Sequence, residues 1–255
     1  MLFSKLIQKN AHERGSRIVL ALDVEARERR LLLNRSLKIL RSVSDYICAA
    51  KVNRQLVLPL GLYQGVQTLV REAHRLQVPT IMDAKLNDVG HTNEAIARHY
   101  FKIGFDAIIA SPFVGWKGAL EPVFNLSRGM TRGMLLLVYM SHEGAAEGYG
   151  QTVIDPSTGA KSYQFEVFAK KALDWNADGI VVGATHPERI TDVRRIVGKD
   201  LAIYSPGVGA QGGEVARALS SGATYLIIGR SIFAARDPRG AARETCSLAN
   251  QISPI

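Results

Sequence analysis

The chain has 255 residues, 47% of them hydrophobic and 22% charged, with a formal net charge of +9. That composition excludes fibrous, low-complexity and disordered classes and allows a core large enough to fold unaided. The positive balance raises the question of nucleic acid, but the basic residues are scattered, with no Arg/Lys block interleaved with aromatics. We expect no nucleic-acid partner; the same field would serve an anionic small substrate.

The N-terminal MLFSKLIQKNAHERGS mixes charge into its apolar residues and lacks a signal-peptide core. RIVLALD (17–23) reads as a strand. It is followed by EARERRLLLNRSLKILR (25–41), whose Leu32, Leu33, Leu37 and Leu40 mark a helix with a solvated basic face. YICAAKV (46–52) is the next strand, and Leu62, Val66, Leu69, Val70, Ala73 and Leu76 predict one helix after it. PTIMDAK (79–85), DAIIAS (106–111), GMLLLVYM (133–140), DGIVVGA (178–184), LAIYSPG (201–207) and TYLIIGR (224–230) are further strands, with a last helix over roughly 237–251. No apolar run is long enough to cross a bilayer, so no membrane association is expected. Cys48 and Cys246 form neither a metal-spaced cluster nor a disulfide framework; as buried small hydrophobes they suit a reducing cytoplasm.

Continuous rather than alternating apolar strands imply a sheet covered on both faces. Eight strand–helix units in this length predict an α/β fold, a single-domain (β/α)8 TIM barrel over residues 1–255. The competing open doubly wound sheet would carry a dinucleotide fingerprint after the first strand, and ALDVEARE has no glycine there. Between Met140 and Tyr163 runs a Gly-rich stretch without periodicity, read as a lid loop over about 141–162 on the catalytic face.

In a barrel, reacting groups gather at the C-terminal ends of the strands. Those ends offer Asp23, Lys51, Asp83 with Lys85, and Ser141. In IMDAKLNDVGHTN (81–93), Asp83 and Lys85 are two apart on a strand and point to one side, while Asp88 lies in the loop, able to fold back or reach a neighbouring subunit. With Lys51 these would form an alternating array of acids and bases that fixes each ammonium; a purely structural ion network is the alternative. SPGVGAQGG (205–213) and IIGRS (227–231) follow the last two strands, where barrels commonly bind phosphate through backbone N–H groups, and Arg230 would add a permanent cation.

Six pieces taken together, LALD (20–23), KVN (51–53), DAKLNDVGHTN (83–93), YMSHEGA (139–145), PGVGAQGG (206–213) and IIGRSI (227–232), make the chain resemble the orotidine 5′-phosphate decarboxylase superfamily, its archaeal-like members in particular. The resemblance implies a cofactor-free, metal-free homodimer converting orotidine 5′-phosphate to UMP. Lys85 would protonate C6. Asp83 would hold Lys85 beside the substrate carboxylate, and Asp88 with Thr92 would enter the partner's site. Asp23 and Lys51 would bind ribose hydroxyls, Ser141 would read the pyrimidine edge, and Gln211, Gly229 and Arg230 would hold the phosphate.

The Asp-x-Lys-x-x-Asp pattern also occurs in magnesium-dependent sugar-phosphate decarboxylases and synthases of the same superfamily. Those relatives place a carboxylate where this chain has Lys51, because a divalent ion needs oxygen ligands. Duller roles stand beside each assignment: Asp23, Thr92 or the neighbouring Asn93 as helix caps, Ser141 as a turn residue. A silent barrel binding phosphorylated ligands or nucleic acid is the reading from another class.

Overall fold

The computed structural model describes residues 1–209 and 212–253. A first helix, α1 (Phe3–Arg14), precedes β1 (Ile18–Ala21), α2 (Arg29–Val43) and β2 (Ala49–Asn53). Then come α3 (Arg54–Leu60), α4 (Gln67–Arg75), β3 (Thr80–Leu86), α5 (Gly90–Ile103), β4 (Ala107–Ala110), α6 (Glu121–Gly129) and β5 (Gly133–Tyr139). After α7 (Ala145–Tyr149) and the short strands β6 (Thr152–Ile154) and β7 (Lys161–Tyr163), the alternation resumes with α8 (Gln164–Asp174), β8 (Gly179–Val182), α9 (Pro187–Val197) and β9 (Ile203–Pro206). It closes with α10 (Gly212–Ser220), β10 (Tyr225–Ile228), α11 (Arg230–Phe233) and α12 (Pro238–Ile252).

Eight strands close into one parallel barrel in the order β1-β10-β9-β8-β5-β4-β3-β2, the (β/α)8 architecture expected. They are the eight apolar runs of the sequence, most of them trimmed at their ends, with β2 and β3 each running one residue further at the C-terminal end. Every residue of β1, β4, β5, β8 and β10 is buried, because helices cover the outer face and side chains fill the interior. In α2, Leu32, Ile39, Leu40 and Val43 are buried and the arginines are left outside.

Three predicted features change. The helix through Leu62 to Leu76 is present but gains a predecessor: α3, with Pro59 inside it, ends at Gly61, whose φ is +72°, and a wide π turn at Gly61–Val66 then leads without a break into α4. The N-terminal mixture of charged and apolar residues is an amphipathic helix, α1, whose Phe3, Ile7 and Ala11 are buried against the barrel's N-terminal pole. The aperiodic stretch 141–162 is not structureless: it holds α7 and the antiparallel β6–β7 hairpin, elements too short to carry a period. Among the described residues no helix is long and apolar enough to cross a membrane.

Gly133, at the start of β5, makes the seating of α1 possible. A Cβ there would lie 2.6 Å from both Cβ and Cγ of Phe3. Gly133→Ala should therefore destabilise the fold by about 1–3 kcal/mol through overpacking. Urea unfolding checks it, and an unchanged midpoint would mean that α1 can shift without cost.

Candidate functional site

The C-terminal ends of β1, β2 and β3 build the charged cluster. Parallel pairing sets Lys51 opposite Ala21 and Asp83 opposite Asn53, so the Lys51 ammonium rises beside the Asp83 carboxylate. Lys51 Nζ donates to Asp83 Oδ2 at 3.0 Å and stands 4.0 Å from Asp23 Oδ1. Lys85 Nζ donates to Asp83 Oδ1 at 2.6 Å. One carboxylate is thus shared between two ammoniums.

The route to that contact is not simple strand alternation. Between the pairs Met82↔Ile108 and Leu86↔Ala110, β3 uses four steps where β4 uses two, so residues 83–85 arch away from β4, while Asp83 keeps its pairing with Asn53 of β2. Lys85 has φ +46°, a left-handed conformation that costs a residue with a Cβ of the order of 1 kcal/mol. Strain of this kind persists only where surroundings enforce it, and it clusters at functional sites.

Asp83 is 8% exposed and Lys51 5%, while the Lys85 side chain keeps about a third of its surface open. Burial alone would raise the Asp83 pKa. The nearby ammoniums of Lys51 and Lys85, with their hydrogen bonds, outweigh it and hold the carboxyl below its ordinary 3.8.

Asp23 lines the hollow beside Lys51, and its buried Oδ1, 4.0 Å from the Lys51 ammonium, has no hydrogen-bond partner among the described residues. Asp88 does not fold back to complete the array: it is exposed, and among the described residues it pairs with no cation. Its Oδ1 accepts from the Val89 N–H at 2.7 Å. Thr92 lies in the first turn of α5, half-buried, and the N-cap position belongs to Val89. Ser141 stands just past β5, its carbonyl accepting from the Thr185 hydroxyl at 2.7 Å. A Cβ on Gly183 would lie 2.6 Å from the Ser141 Cα, so the glycine permits this approach.

Gly229 and Arg230 line a hollow of about 970 Å³ together with Asp23, Lys51, Gly207 and Gly209. Gly229 is packed against Ala21, whose Cβ would stand 3.3 Å from a side chain there. Arg230 is exposed and opens α11, with no ion pair among the described residues. Gln211 lies outside the described residues. The Glu214 carboxylate accepts from the Gly209 N–H in the same hollow, a neighbour that the glycine pattern gave no reason to single out. A second hollow of about 520 Å³ adjoins Lys85 and Asp88, and Arg54, the residue after the KVN run, lines it. A larger cavity, about 1080 Å³, lies between α1 and the N-terminal ends of β8, β9 and β10, at the pole away from the ions. Among the described residues no group of three or more His, Cys, Asp or Glu is placed to hold a metal ion.

A parallel (β/α)8 barrel with alternating ions and a glycine-lined hollow at the C-terminal ends of its strands is the architecture of barrel enzymes, and comparison with known proteins sharpens the assignment. The sequence model of the Orotidine 5′-phosphate decarboxylase / HUMPS family matches residues 16–245. The orotidine 5′-phosphate decarboxylase of Methanosarcina mazei is 36% identical over 94% of this chain and 96% of its own length, and that of Pyrococcus abyssi is 38% identical over 89% and 96%. The crystal structure of orotidine 5′-phosphate decarboxylase from Pyrococcus horikoshii superposes with a TM-score of 0.74 at 34% identity, covering 93% of this chain and all of that one. The chain belongs to the orotidine 5′-phosphate decarboxylase / HUMPS family.

Because its folded-state pKa is depressed, Asp83 contributes stability that is fully present above pH 3.8 and is lost as pH falls through the lower folded-state value. Asp83→Asn, which removes the counter-ion of Lys85 and leaves buried Lys51 only Asp23 at 4.0 Å, should cost about 3–5 kcal/mol near neutrality. The gap in thermal midpoint between wild type and variant should stay constant down to mildly acidic pH and shrink below it. A gap that ignores acidification would disconnect Asp83 from the lysines.

Proposed function

We propose that the protein decarboxylates orotidine 5′-phosphate to UMP, the pyrimidine-nucleotide step, without a metal ion, and that it does so as a homodimer. The single observation that carries the mechanism is the Asp83 carboxylate held between the Lys51 and Lys85 ammoniums. When the bond between C6 and the carboxylate breaks, CO₂ leaves and the electron pair stays on C6. Lys85 stabilises that pair electrostatically and then gives C6 a proton, to be replaced from solvent. Asp83 fixes the ammonium in advance, so no reorganisation is needed as the charge develops.

The remaining assignments are those the family resemblance implies. Asp23, with its unpartnered acceptor, and Lys51 receive ribose hydroxyls. Gly229 and Arg230, joined by Gln211, take the phosphate, and Ser141 meets the pyrimidine edge. The segment 141–162 acts as the lid. Its return leg is tied by the Arg189 guanidinium, whose centre lies 5.0 Å from the Phe165 ring and 5.5 Å from that of Tyr163. The buried free thiols of Cys48 and Cys246 support a reducing cytoplasm.

Exposure supports the dimer. Asp88 projects outward beside Val89, Ile96 and Phe113, apolar side chains that are 53%, 36% and 48% exposed. In a symmetric pair the same face meets itself, which brings Asp88 and Thr92 to the other protomer's hollow. The family also includes the magnesium-dependent reading, but here the cation beside Asp83 and Asp23 is the Lys51 ammonium, which would repel a divalent ion.

Purified protein should convert orotidine 5′-phosphate to UMP at an undiminished rate in EDTA. Lys85→Ala should lose about 10³-fold or more in kcat while still binding UMP, and Arg230→Ala should raise KM about tenfold or more without lowering the thermal midpoint. Activity abolished by chelation and restored by Mg²⁺ would return the assignment to the metal-dependent class. For the dimer, two inactive variants, Lys85→Ala and Asp88→Ala, should regain activity in about a quarter of their sites once mixed and allowed to exchange subunits. A mixture that stays inactive would put both residues in one chain's site.

A further inference from the structure

Asp88 stands on a loop and is exposed, yet an electrostatic group must be held to within a fraction of an ångström to be useful. The side chain that does this is Asn93, completely buried one turn into α5. Its Oδ1 accepts from the Asp88 N–H at 3.2 Å, and its Nδ2 donates to the Asp88 carbonyl and, at 3.4 Å, to the Ala119 carbonyl. Flipping the amide would set its oxygen against two carbonyls, so the pattern fixes the orientation of the group. Both backbone polar groups of Asp88 are thereby gripped by one amide, and the Val89 N–H turns the Asp88 carboxylate.

The anchor itself cannot slide. A Cβ on Gly90, at the start of α5, would lie 2.8 Å from the Gly118 carbonyl oxygen, so this helix end is seated directly on the 116–120 turn that carries Ala119. That turn packs in its own right, with the Trp116 ring 5.2 Å from Phe124 and 5.1 Å from Trp175. Asn93 thus connects an exposed acid to a rigid aromatic layer. Its three hydrogen bonds join the Asp88 loop, α5 and the turn before α6.

We infer that Asn93 is the positioning residue for Asp88, and that it therefore acts on the active site of the other protomer rather than on that of its own chain. The inference rests on the dimeric reading above. Loss of the amide frees the Asp88 backbone to hydrate and lets the carboxylate wander, and a displacement of about 1 Å at such a group can cost on the order of 10²-fold in rate.

Subunit exchange separates this role from a merely structural one. Asn93→Ala alone should lose about 10²-fold in kcat/KM. Mixed with Lys85→Ala, it should regain as much activity as the Lys85→Ala and Asp88→Ala pair, because the hybrid holds one site with an intact lysine and a properly held Asp88. Mixed with Asp88→Ala, it should regain nothing, since both defects lie on the same arm. Restoration by Asp88→Ala, near-wild-type activity of Asn93→Ala alone, or failure of every Asn93→Ala mixture while the Lys85→Ala and Asp88→Ala pair recovers would each overturn the assignment. Failure of that control pair would instead refute the dimeric reading, and the proposal would fall with it.

Discussion

One buried carboxylate shared by two ammoniums is the constraint around which the C-terminal pole of the barrel is organised. Removing Asp83 from water is unfavourable, and so is removing Lys51; each is tolerated because the other is within 3.0 Å. Lys85 completes the set at 2.6 Å with part of its side chain open to the hollow, so the buried pair is the fixed part and Lys85 the part that can face a ligand. A cation held in this way needs no rearrangement when negative charge appears beside it.

The barrel supplies the geometry and one local irregularity supplies the reach. Register between β1, β2 and β3 brings Lys51 and Asp83 to one level. The arch at residues 83–85 then carries the Lys85 ammonium to the other carboxylate oxygen at the expense of a left-handed backbone. On the far side of the rim, Gly183 and Gly229 provide closeness rather than charge, letting Ser141 and Ala21 approach without a Cβ between them. Ionic and steric requirements are met by different strands, so the pole can be dense with charge while the barrel beneath stays apolar.

How much of this was legible in the sequence depended on whether burial leaves a pattern. The eight strands were readable because both their faces are covered, which forces unbroken apolar runs such as GMLLLVY and YLII. The amphipathic α1 was less so, because its apolar stripe, Phe3, Ile7 and Ala11 at four-residue spacing, is narrow and set among charges. Asp83 and Lys85 were rightly grouped by their two-residue spacing, but the contact arises from an arch that no residue type announces: a lysine with positive φ looks like any other lysine. Asn93 passed for a helix cap because asparagine serves in both roles; only the fold shows its amide turned back onto Asp88. The hairpin within 141–162 was invisible for a simpler reason, since three-residue strands are too short to alternate.

Barrel closure has a consequence for when the ligand hollow comes into being. β1 pairs with β10, Ile18 facing Leu226, so the first and last strands meet across nearly the whole chain. Asp23 stands just beyond one of these strands and Gly229 and Arg230 just beyond the other, as opposite walls of a single cleft. Local strand–helix units can assemble early, but this non-local seam must wait for the chain ends to find each other. A nascent chain therefore holds every ion of the β2–β3 cluster before both walls of this cleft exist, and under the phosphate assignment proposed above ligand retention is a direct report on completed topology.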